Sequence, residues 1–268
     1  MIKRITSADA AGVVEKFLSD DRLAPPVLAD EPLAEYLARL ERAGEHILGH
    51  YSGGVLTDAF VFIIDANNRY YEAVWALSED KNAVVEAVRY LKDNYPDFSG
   101  DWVFNPRNTV AVNALKALGA EVIESLRGYI LDTPRKYECA NNIRPLEEKH
   151  HAEYAAMHSK DVYWTAERVI ASDKFAVWTA LDGGHITGYI DLFRDAALSE
   201  VYDWQAADSD IKEALMSAAI SEARSPVLMM LEDGADADIL EKIGFVRVPK
   251  RDNITLQLEL NTLTEVLL

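Results

Sequence analysis

Two carboxylates stand close together on a short predicted strand that ends at Trp204. Glu200 and Asp203 flank Tyr202 in this segment. A carboxylate can accept a proton from a reacting group, so Glu200 and Asp203 are candidate general bases. Strand alternation predicts Glu200, Tyr202 and Trp204 on one face and Asp203 on the other. The alternative is that both carboxylates are solvated residues at a strand end.

Three histidines, His150, His151 and His158, fall on one predicted helix. His151 and His158 share a face of that helix. No carboxylate accompanies them in a metal pattern such as H-E-x-x-H, so we predict no metal site and place the histidines in solvent or at the core edge. The chain also lacks the G-x-S-x-G, P-loop, G-x-G-x-x-G and C-x-x-C motifs, which weakens hydrolase, NTPase, dinucleotide-binding and redox hypotheses.

The charge balance narrows the range of partners. The chain of 268 residues has 27 Lys and Arg against 45 Asp and Glu, a formal net charge of −18. Nucleic acid and anionic membranes need a cationic surface, so neither is expected as a partner, whereas a cationic substrate is compatible. Hydrophobic residues make up 49% and charged residues 27%, which is typical of a soluble globular protein.

Cysteine content and apolar runs indicate the cellular setting. The single cysteine, Cys139, excludes an intramolecular disulfide and a cysteine metal cage. The longest apolar run, from Ala59 to Ile64, is far shorter than the ~20 residues that span a bilayer. The N-terminal residues lack the apolar core of a signal peptide. We therefore expect a cytoplasmic protein.

The chain contains two similar halves. Gly119 follows a predicted helix in the first half, and Gly244 follows one in the second, each before an extended run. Both patterns predict a helix ended by a C-cap glycine and then a hairpin. Turn-forming residues between the halves mark a boundary. We predict an N-terminal domain over 1–135 and a C-terminal domain over 141–268.

Each half predicts the same order of elements: a strand, two helices, three strands, a helix, a strand, a helix and terminal strands. This order indicates a mixed α/β class, with a mostly antiparallel, twisted sheet flanked by helices. Asp210 is the expected cap of the third helix in the second half. The predicted helices cover 8–19, 31–43, 80–93 and 108–118, then 148–159, 165–171, 210–223 and 236–243.

The element order resembles the fold of the GNAT (GCN5-related) N-acetyltransferases, taken as two consecutive copies. The segment from Asn108 to Gly119 is similar to the family segment N-x-x-A-x-x-L-Y-x-x-x-G-F, and 239–245 resembles its end. The run from Leu181 to Tyr189 resembles the family's central hairpin. The resemblance covers nearly the whole chain and implies transfer of an acetyl group from acetyl-CoA to an amine.

The resemblance also implies where a cofactor lies. Pantetheine occupies a V-shaped opening between two parallel strands, and the pyrophosphate lies at the N-terminus of the next helix. Glu200 or Asp203 deprotonates the amine in this scheme. Asn108 has an alternative role as a helix cap. The implied contacts are with the cofactor at Arg107, Asn108, Val201 and Lys212, and with the acceptor at Trp164 and Trp204.

The phosphate-binding loops depart from the family pattern. That pattern, Q/R-x-x-G-x-G/A, uses glycines so that phosphate can approach the backbone amides. The loop at 207–212 has no glycine and two aspartates, and the loop at 76–81 has no glycine and two acids. A carboxylate about 4 Å from a phosphate charge costs ~1–4 kcal/mol, of which Lys212 or Lys81 can offset part. Leu115 and Leu240 replace the family's tyrosine acid.

Two functional hypotheses follow. The first is a tandem GNAT-like N-acetyltransferase that uses acetyl-CoA and a small-molecule amine. The second is a non-catalytic GNAT-like pseudoenzyme that binds a small ligand or a protein partner. The second half is favoured as the active one, because its strand order and the pair Gly244-Phe245 are more regular.

Overall fold

Both halves of the chain consist of strands flanked by helices. The computed structural model describes residues 1–23, 45–137, 142–159, 164–232 and 235–264. The helix predicted over 31–43 and Cys139 lie outside this part of the chain. The described residues form seven α-helices and thirteen strands, which confirms the mixed α/β class. No helix among them is both long and apolar enough to cross a membrane.

Contacts divide the chain into two compact units. Unit 1 contains Met1–Leu126 and Pro249–Leu268, and unit 2 contains Arg127–Val248. These bounds differ from the predicted domains, 1–135 and 141–268, in the C-terminal segment. The reason is a long-range pairing, because β13 (Asn253–Glu259) lies antiparallel to β5 (Ser99–Phe104). Local patterns indicate that a strand is present but not which strand it pairs with.

Unit 1 has the strand order β1-β2-β3-β4-β5-β13-β6. Its pairs are antiparallel except β4 with β5, which is parallel. Its other strands are β1 (Ile2–Arg4), β2 (Glu45–Ser52), β3 (Val55–Asp65), β4 (Tyr70–Leu77) and β6 (Glu121–Leu131), of which β6 continues into unit 2 after Leu126. Its helices are α1 (Ser7–Leu18), α2 (Lys81–Asn94) and α3 (Thr109–Ala117).

Alternation along β3 divides the core of unit 1 into two clusters. Phe60 and Phe62 pack with Trp102 and with apolar residues of α2 and α3. Val61 points to the opposite face and packs with Phe17 of α1. The continuous apolar run in β3 is typical of a strand that is buried on both faces.

Gly100 in β5 lies where close packing requires glycine. A Cβ there would lie 2.2 Å from the carbonyl oxygen of Tyr71 and 2.5 Å from its ring. We expect Gly100→Ala to lower the free energy of unfolding by about 1–3 kcal/mol, because the backbone must shift.

Gly12 is the control, since a Cβ on this exposed residue of α1 meets nothing within 4 Å. Gly12→Ala should raise the free energy of unfolding by about 0.5–1 kcal/mol. Chemical denaturation of both variants checks the pair, and equal effects would contradict the prediction.

Unit 2 has the strand order β11-β10-β9-β8-β7, and β12 pairs with the end of β6. Its only parallel pair among those whose register is described is β10 with β11. Its strands are β7 (Ile143–Pro145), β8 (Phe175–Asp182), β9 (His185–Phe193), β10 (Ser199–Ala206), β11 (Val227–Glu232) and β12 (Val246–Arg247). Its helices are α4 (His151–Met157), α5 (Ala166–Ala171), α6 (Ser209–Glu222) and α7 (Ala237–Ile243).

The predicted helices of this half are confirmed, with two local differences. The helix predicted over 148–159 begins as a 3₁₀ turn, and its α-helical part is shorter. The cap of α6 is Asp208 rather than Asp210, because the Asp208 carboxylate accepts the N–H of Ile211 at 2.9 Å. Asp210 lies in the first turn instead.

Candidate functional site

The two parallel strands of unit 2 part within β10. Three residues of β10 pair with β11 in parallel: Ser199, Glu200 and Val201. The last of these pairs joins Val201 to Met229. Beyond this point β10 continues against β9 alone, through Trp204. The parallel pairing therefore ends after Val201, where the family resemblance places the opening. Since the β11 ladder ends there, the backbone of β10 beyond Val201 can pair with an extended ligand.

A β-bulge at Tyr202 corrects the predicted faces of β10. Val201 lies opposite Leu192, but Asp203 lies opposite Asp191, so Tyr202 is an extra residue in the strand. An extra residue shifts the alternation that follows it. The bulge therefore places Tyr202 and Asp203 on the same face, and the prediction that they lie on opposite faces is wrong.

Trp204 and Val201 both lie on the face of the sheet opposite to Tyr202 and Asp203. Val201 is buried in the apolar cluster with α6 and α7, and Trp204 packs against that cluster. The ammonium of Lys212 lies 5.2 Å from the Trp204 ring centre. Trp204 was predicted to share a face with Glu200, and the bulge separates them. Trp204 therefore lies on the opposite face from both Glu200 and Asp203.

Five side chains form a buried polar group around Asp203, which we call the carboxylate–histidine cluster. The Tyr189 hydroxyl donates to Asp203 Oδ2 at 2.7 Å, and the Tyr154 hydroxyl donates to Asp191 Oδ2 at 2.7 Å. His158 Nε2 lies 2.9 Å from Asp191 Oδ2 and 3.9 Å from Asp203 Oδ2. One histidine thus stands between two carboxylates on neighbouring strands.

The end of α4 positions His158 for this role. His158 is the C-cap residue of the helix, and its Nδ1 lies 2.8 Å from the carbonyl oxygen of Ser159. A carbonyl can only accept, so Nδ1 carries a proton. Nε2 faces the Asp191 carboxylate, which also accepts. Both ring nitrogens are donors in a protonated imidazole, so the geometry favours charged His158.

Burial and charge act in opposite directions on the cluster. Burial lowers the pKa of His158, but hydrogen bonds to Asp191 and Ser159 and the charges of Asp191 and Asp203 outweigh it, so the pKa is raised. Burial raises the pKa of Asp191, and the hydrogen bonds from His158 and Tyr154 offset part of the rise. Asp191 Oδ1 is buried and has no hydrogen-bond partner among the described residues. Asp203 differs, because 23% of its side chain is exposed.

The raised pKa of His158 predicts that stability falls as pH rises. The folded state holds this proton more tightly than the unfolded chain, whose histidine pKa is near the ordinary 6.5. The stabilisation is fully present below that value and is lost as pH rises through the folded pKa. We expect the Tm to decrease as the pH rises above about 6.5, and to decrease less in His158→Gln. Thermal unfolding over this range tests it, and parallel curves for both proteins would contradict it.

Sequence reasoning missed most of this cluster. His158 was expected in solvent or at the core edge, but 2% of its side chain is exposed. Tyr154, Tyr189 and Asp191 were not candidates, although an aspartate inside the apolar run of β9 is a signal that it has buried partners. Asp203 was a candidate, and it is the one predicted site residue that belongs to the cluster.

Unit 1 has apolar residues at the matching strand positions. There β4 leaves β5 after Ala73, and a bulge places Trp75 opposite Val61. Trp75 therefore matches Asp203, and Val61 matches Asp191. Trp75 and Val61 are both buried in one apolar cluster.

The helix residue that matches His158 of unit 2 is apolar in unit 1. His158 lies fifteen residues after Ile143, which begins β7. Phe17 lies fifteen residues after Ile2, which begins β1, and it packs in the same apolar cluster as the two strand residues. At this place in the fold, the groups that can move a proton are therefore in unit 2.

Aromatic rings and a second carboxylate lie beside Asp203. Trp164 packs against Phe175, with ring centres 4.9 Å apart, and reaches Tyr202 at 6.3 Å. Burial and then the charge of Glu200 raise the pKa of Tyr202 to about 12. Glu200, Trp164 and Asp203 therefore lie on one face, as candidates for an acceptor site require. The residues just before Trp164, 160–163, lie outside the described residues.

The helix end where a pyrophosphate is expected does not fit one. Asp208 caps α6 with its own carboxylate. The ammonium of Lys212, a predicted cofactor contact, is bonded to Asp236. In unit 1, Asp80 caps α2 by accepting the N–H of Asn82 at 2.8 Å. The acidic cap at each helix end is a poor match for a diphosphate, because it takes one backbone amide and adds negative charge there.

Arg107 and Asn108 lie in unit 1 at the start of α3. Asn108 accepts the N–H of Ala111 at 3.2 Å and donates to the carbonyl of Ser78 at 2.9 Å. Asn108 is buried, and this is the helix-cap role named as the alternative. Arg107 is exposed, and its charge lowers the pKa of Asp20, after the larger effect of Arg22.

One group in unit 1 has the residue types of a metal site. Ligand atoms of His50, Asp58 and Asp80 lie within 4.8 Å of one another. However, Asp58 already accepts from Thr57 at 2.6 Å and from Ser78 at 2.8 Å. The group also lies at the N-terminus of α2, where the helix dipole disfavours a cation. We assign it no metal.

The whole chain is similar to solved structures of N-acetyltransferases. A GCN5-related N-acetyltransferase from Sphaerobacter thermophilus is 10% identical, with a TM-score of 0.69 over 100% of this chain and 98% of that chain. A tandem GNAT protein from the clavulanic acid biosynthesis pathway is 11% identical, with a TM-score of 0.55 over 97% and 98%. A GNAT-family acetyltransferase from Colwellia psychrerythraea is 10% identical, with a TM-score of 0.50 over 97% and 99%.

Sequence comparison adds no closer relationship. No protein-family model matches the chain, and no curated protein matches it. Identities near 10% carry information about fold rather than about substrate. The chain has the fold of the GNAT N-acetyltransferases, repeated in two units.

Proposed function

We propose that unit 2 is an acyltransferase centre that moves an acetyl group from a thioester to a primary amine. One observation carries the proposal: Asp203 lies two residues beyond Val201, where β10 parts from β11. Its side chain is partly exposed, and the hydrogen bonds from the described residues end on Oδ2. The other oxygen, Oδ1, is the one that can accept a proton from an amine.

The cluster behind Asp203 supports this role. Charged His158 lies 3.9 Å from Asp203 Oδ2, so a positive charge faces the carboxylate from the cluster side. Tyr189 holds the same oxygen by its hydroxyl. In the reaction, the amine nitrogen bonds to the thioester carbon, the C–S bond breaks, and the amine proton passes to Asp203. The sulfur leaves as a thiolate, which takes a proton from water.

The face around Asp203 suits a cationic acceptor. Glu200 and Asp203 supply negative charge, and Tyr202 and Trp164 supply aromatic rings. Aromatic faces and carboxylates both attract an ammonium group. The net charge of −18 favours the approach of a cation in the same way.

A transfer assay tests the proposal. The full chain is mixed with S-acetylpantetheine or acetyl-CoA and, in turn, spermidine, benzylamine and taurine. Release of thiol and the mass of the acetylated amine are both measured. We expect acetylated spermidine to form fastest, because it is the most cationic acceptor. Failure to form any acetylated amine, with no binding of either thioester, would favour the non-catalytic hypothesis.

A further inference from the structure

We propose that the acyl donor of unit 2 is a thioester whose arm carries no phosphate, and that Asp208 and Asp210 exclude coenzyme A. This inference rests on the proposed acyl transfer and specifies its donor. The N-terminal end of α6 would then select against donors that carry phosphate. The donor class is an acyl-pantetheine or a similar uncharged amide arm.

The backbone amides at the start of α6 are partly taken by the chain itself. Asp208 accepts the N–H of Ile211 at 2.9 Å through its side chain, and the N–H of Lys212 at 3.1 Å through its carbonyl. A phosphate binds a helix N-terminus through amides that are free to donate. Here the chain's own carboxylate takes the Ile211 amide, one of those that such an anion would use.

The charge at the start of α6 is unfavourable for a diphosphate. Asp210 adds another carboxylate in the first turn of α6. The cation of this turn, Lys212, is bonded to Asp236 and lies over the Trp204 ring at 5.2 Å. Its ammonium is therefore already neutralised by a carboxylate. A diphosphate at this helix end meets a net negative surface, which repels it.

The two parallel strands still part beside this acidic helix end. β10 still parts from β11 after Val201, and the bulge at Tyr202 is kept. An amide arm needs only these backbone groups, and it carries no charge for the aspartates to repel. Unit 1 shows the same replacement at its helix α2, which Asp80 caps. The opening and the acidic cap thus occur together in both units.

Isothermal titration of the full chain with pantetheine and with coenzyme A tests the inference. We expect pantetheine to bind at least about tenfold more tightly than coenzyme A, from the repulsion between its phosphates and two carboxylates. In Asp208→Ser with Asp210→Ser, coenzyme A binding should strengthen about tenfold or more while pantetheine binding changes less than about twofold. Serine still caps the helix, so α6 is retained.

The matched control removes two exposed carboxylates elsewhere in unit 2, by Asp173→Asn with Asp182→Asn. This variant should leave the ratio of the two affinities unchanged. Tighter binding of coenzyme A by the unaltered chain, or the same ratio in the serine variant, overturns the inference while acyl transfer can still stand. If neither molecule binds and neither thioester is consumed, the proposed function fails and this inference fails with it.

Discussion

Replacement of Asp203 by asparagine is expected to lower kcat for acyl transfer by roughly 10²–10⁴-fold. The amide keeps the size of the side chain and can still accept from Tyr189, which holds it at 2.7 Å. It cannot take the amine proton. The measurement is the rate of acetylated-amine formation with S-acetylpantetheine, at saturating amine. Because proton transfer occurs during the reaction, kcat should fall more than KM changes.

Asp182→Asn is the matched control for that variant. Asp182 is an exposed aspartate at the hairpin between β8 and β9, so its change should alter kcat by less than about twofold. Circular dichroism and Tm establish that both variants fold. A folded Asp203→Asn protein with unchanged kcat would show that another group, such as Glu200 or water, takes the proton.

Replacement of Asp191 by alanine is expected to lower the free energy of unfolding by about 3–5 kcal/mol. Asp191 is fully buried and accepts from both His158 and Tyr154. Its loss leaves a charged or unpaired imidazole in the interior, and that desolvation is the main cost. Urea denaturation gives the value, with Asp182→Ala as the exposed control, for which a change within about 0.5 kcal/mol is expected.

Unit 1 supplies a second, sharper variant for the same cluster. Asp191→Val with His158→Phe places in unit 2 the residues that unit 1 has at the matching positions, Val61 and Phe17. The apolar pair removes both the charge of His158 and its unpaired imidazole. Most of the stability that Asp191→Ala loses should therefore be regained in the double variant. If this double variant is as unstable as Asp191→Ala, then the penalty does not arise from stranding His158.

The order of elements was largely determined by the sequence alone. The hairpins predicted after Gly119 and Gly244 are wrong, because β6 is one continuous strand and β12 and β13 each pair with β6. Helical spacing at 210–223, the turn at Asp182 and the C-cap at Gly244 are local patterns, and the structure places elements within a few residues of each. Capping, turn chemistry and periodicity act between residues that are neighbours in the chain. The element order therefore indicated the fold class and the resemblance, although no sequence comparison gives a match.

The candidate site was decided by tertiary structure. The extra residue at Tyr202 depends on how β10 pairs with β9, and no local pattern indicates it. That bulge brings Asp203 opposite Asp191 and turns Trp204 away. His158 meets both aspartates only because α4 ends against this face. Burial and hydrogen bonding between residues distant in sequence set the charge of His158. The chemistry of the cluster could therefore be inferred only from the folded chain.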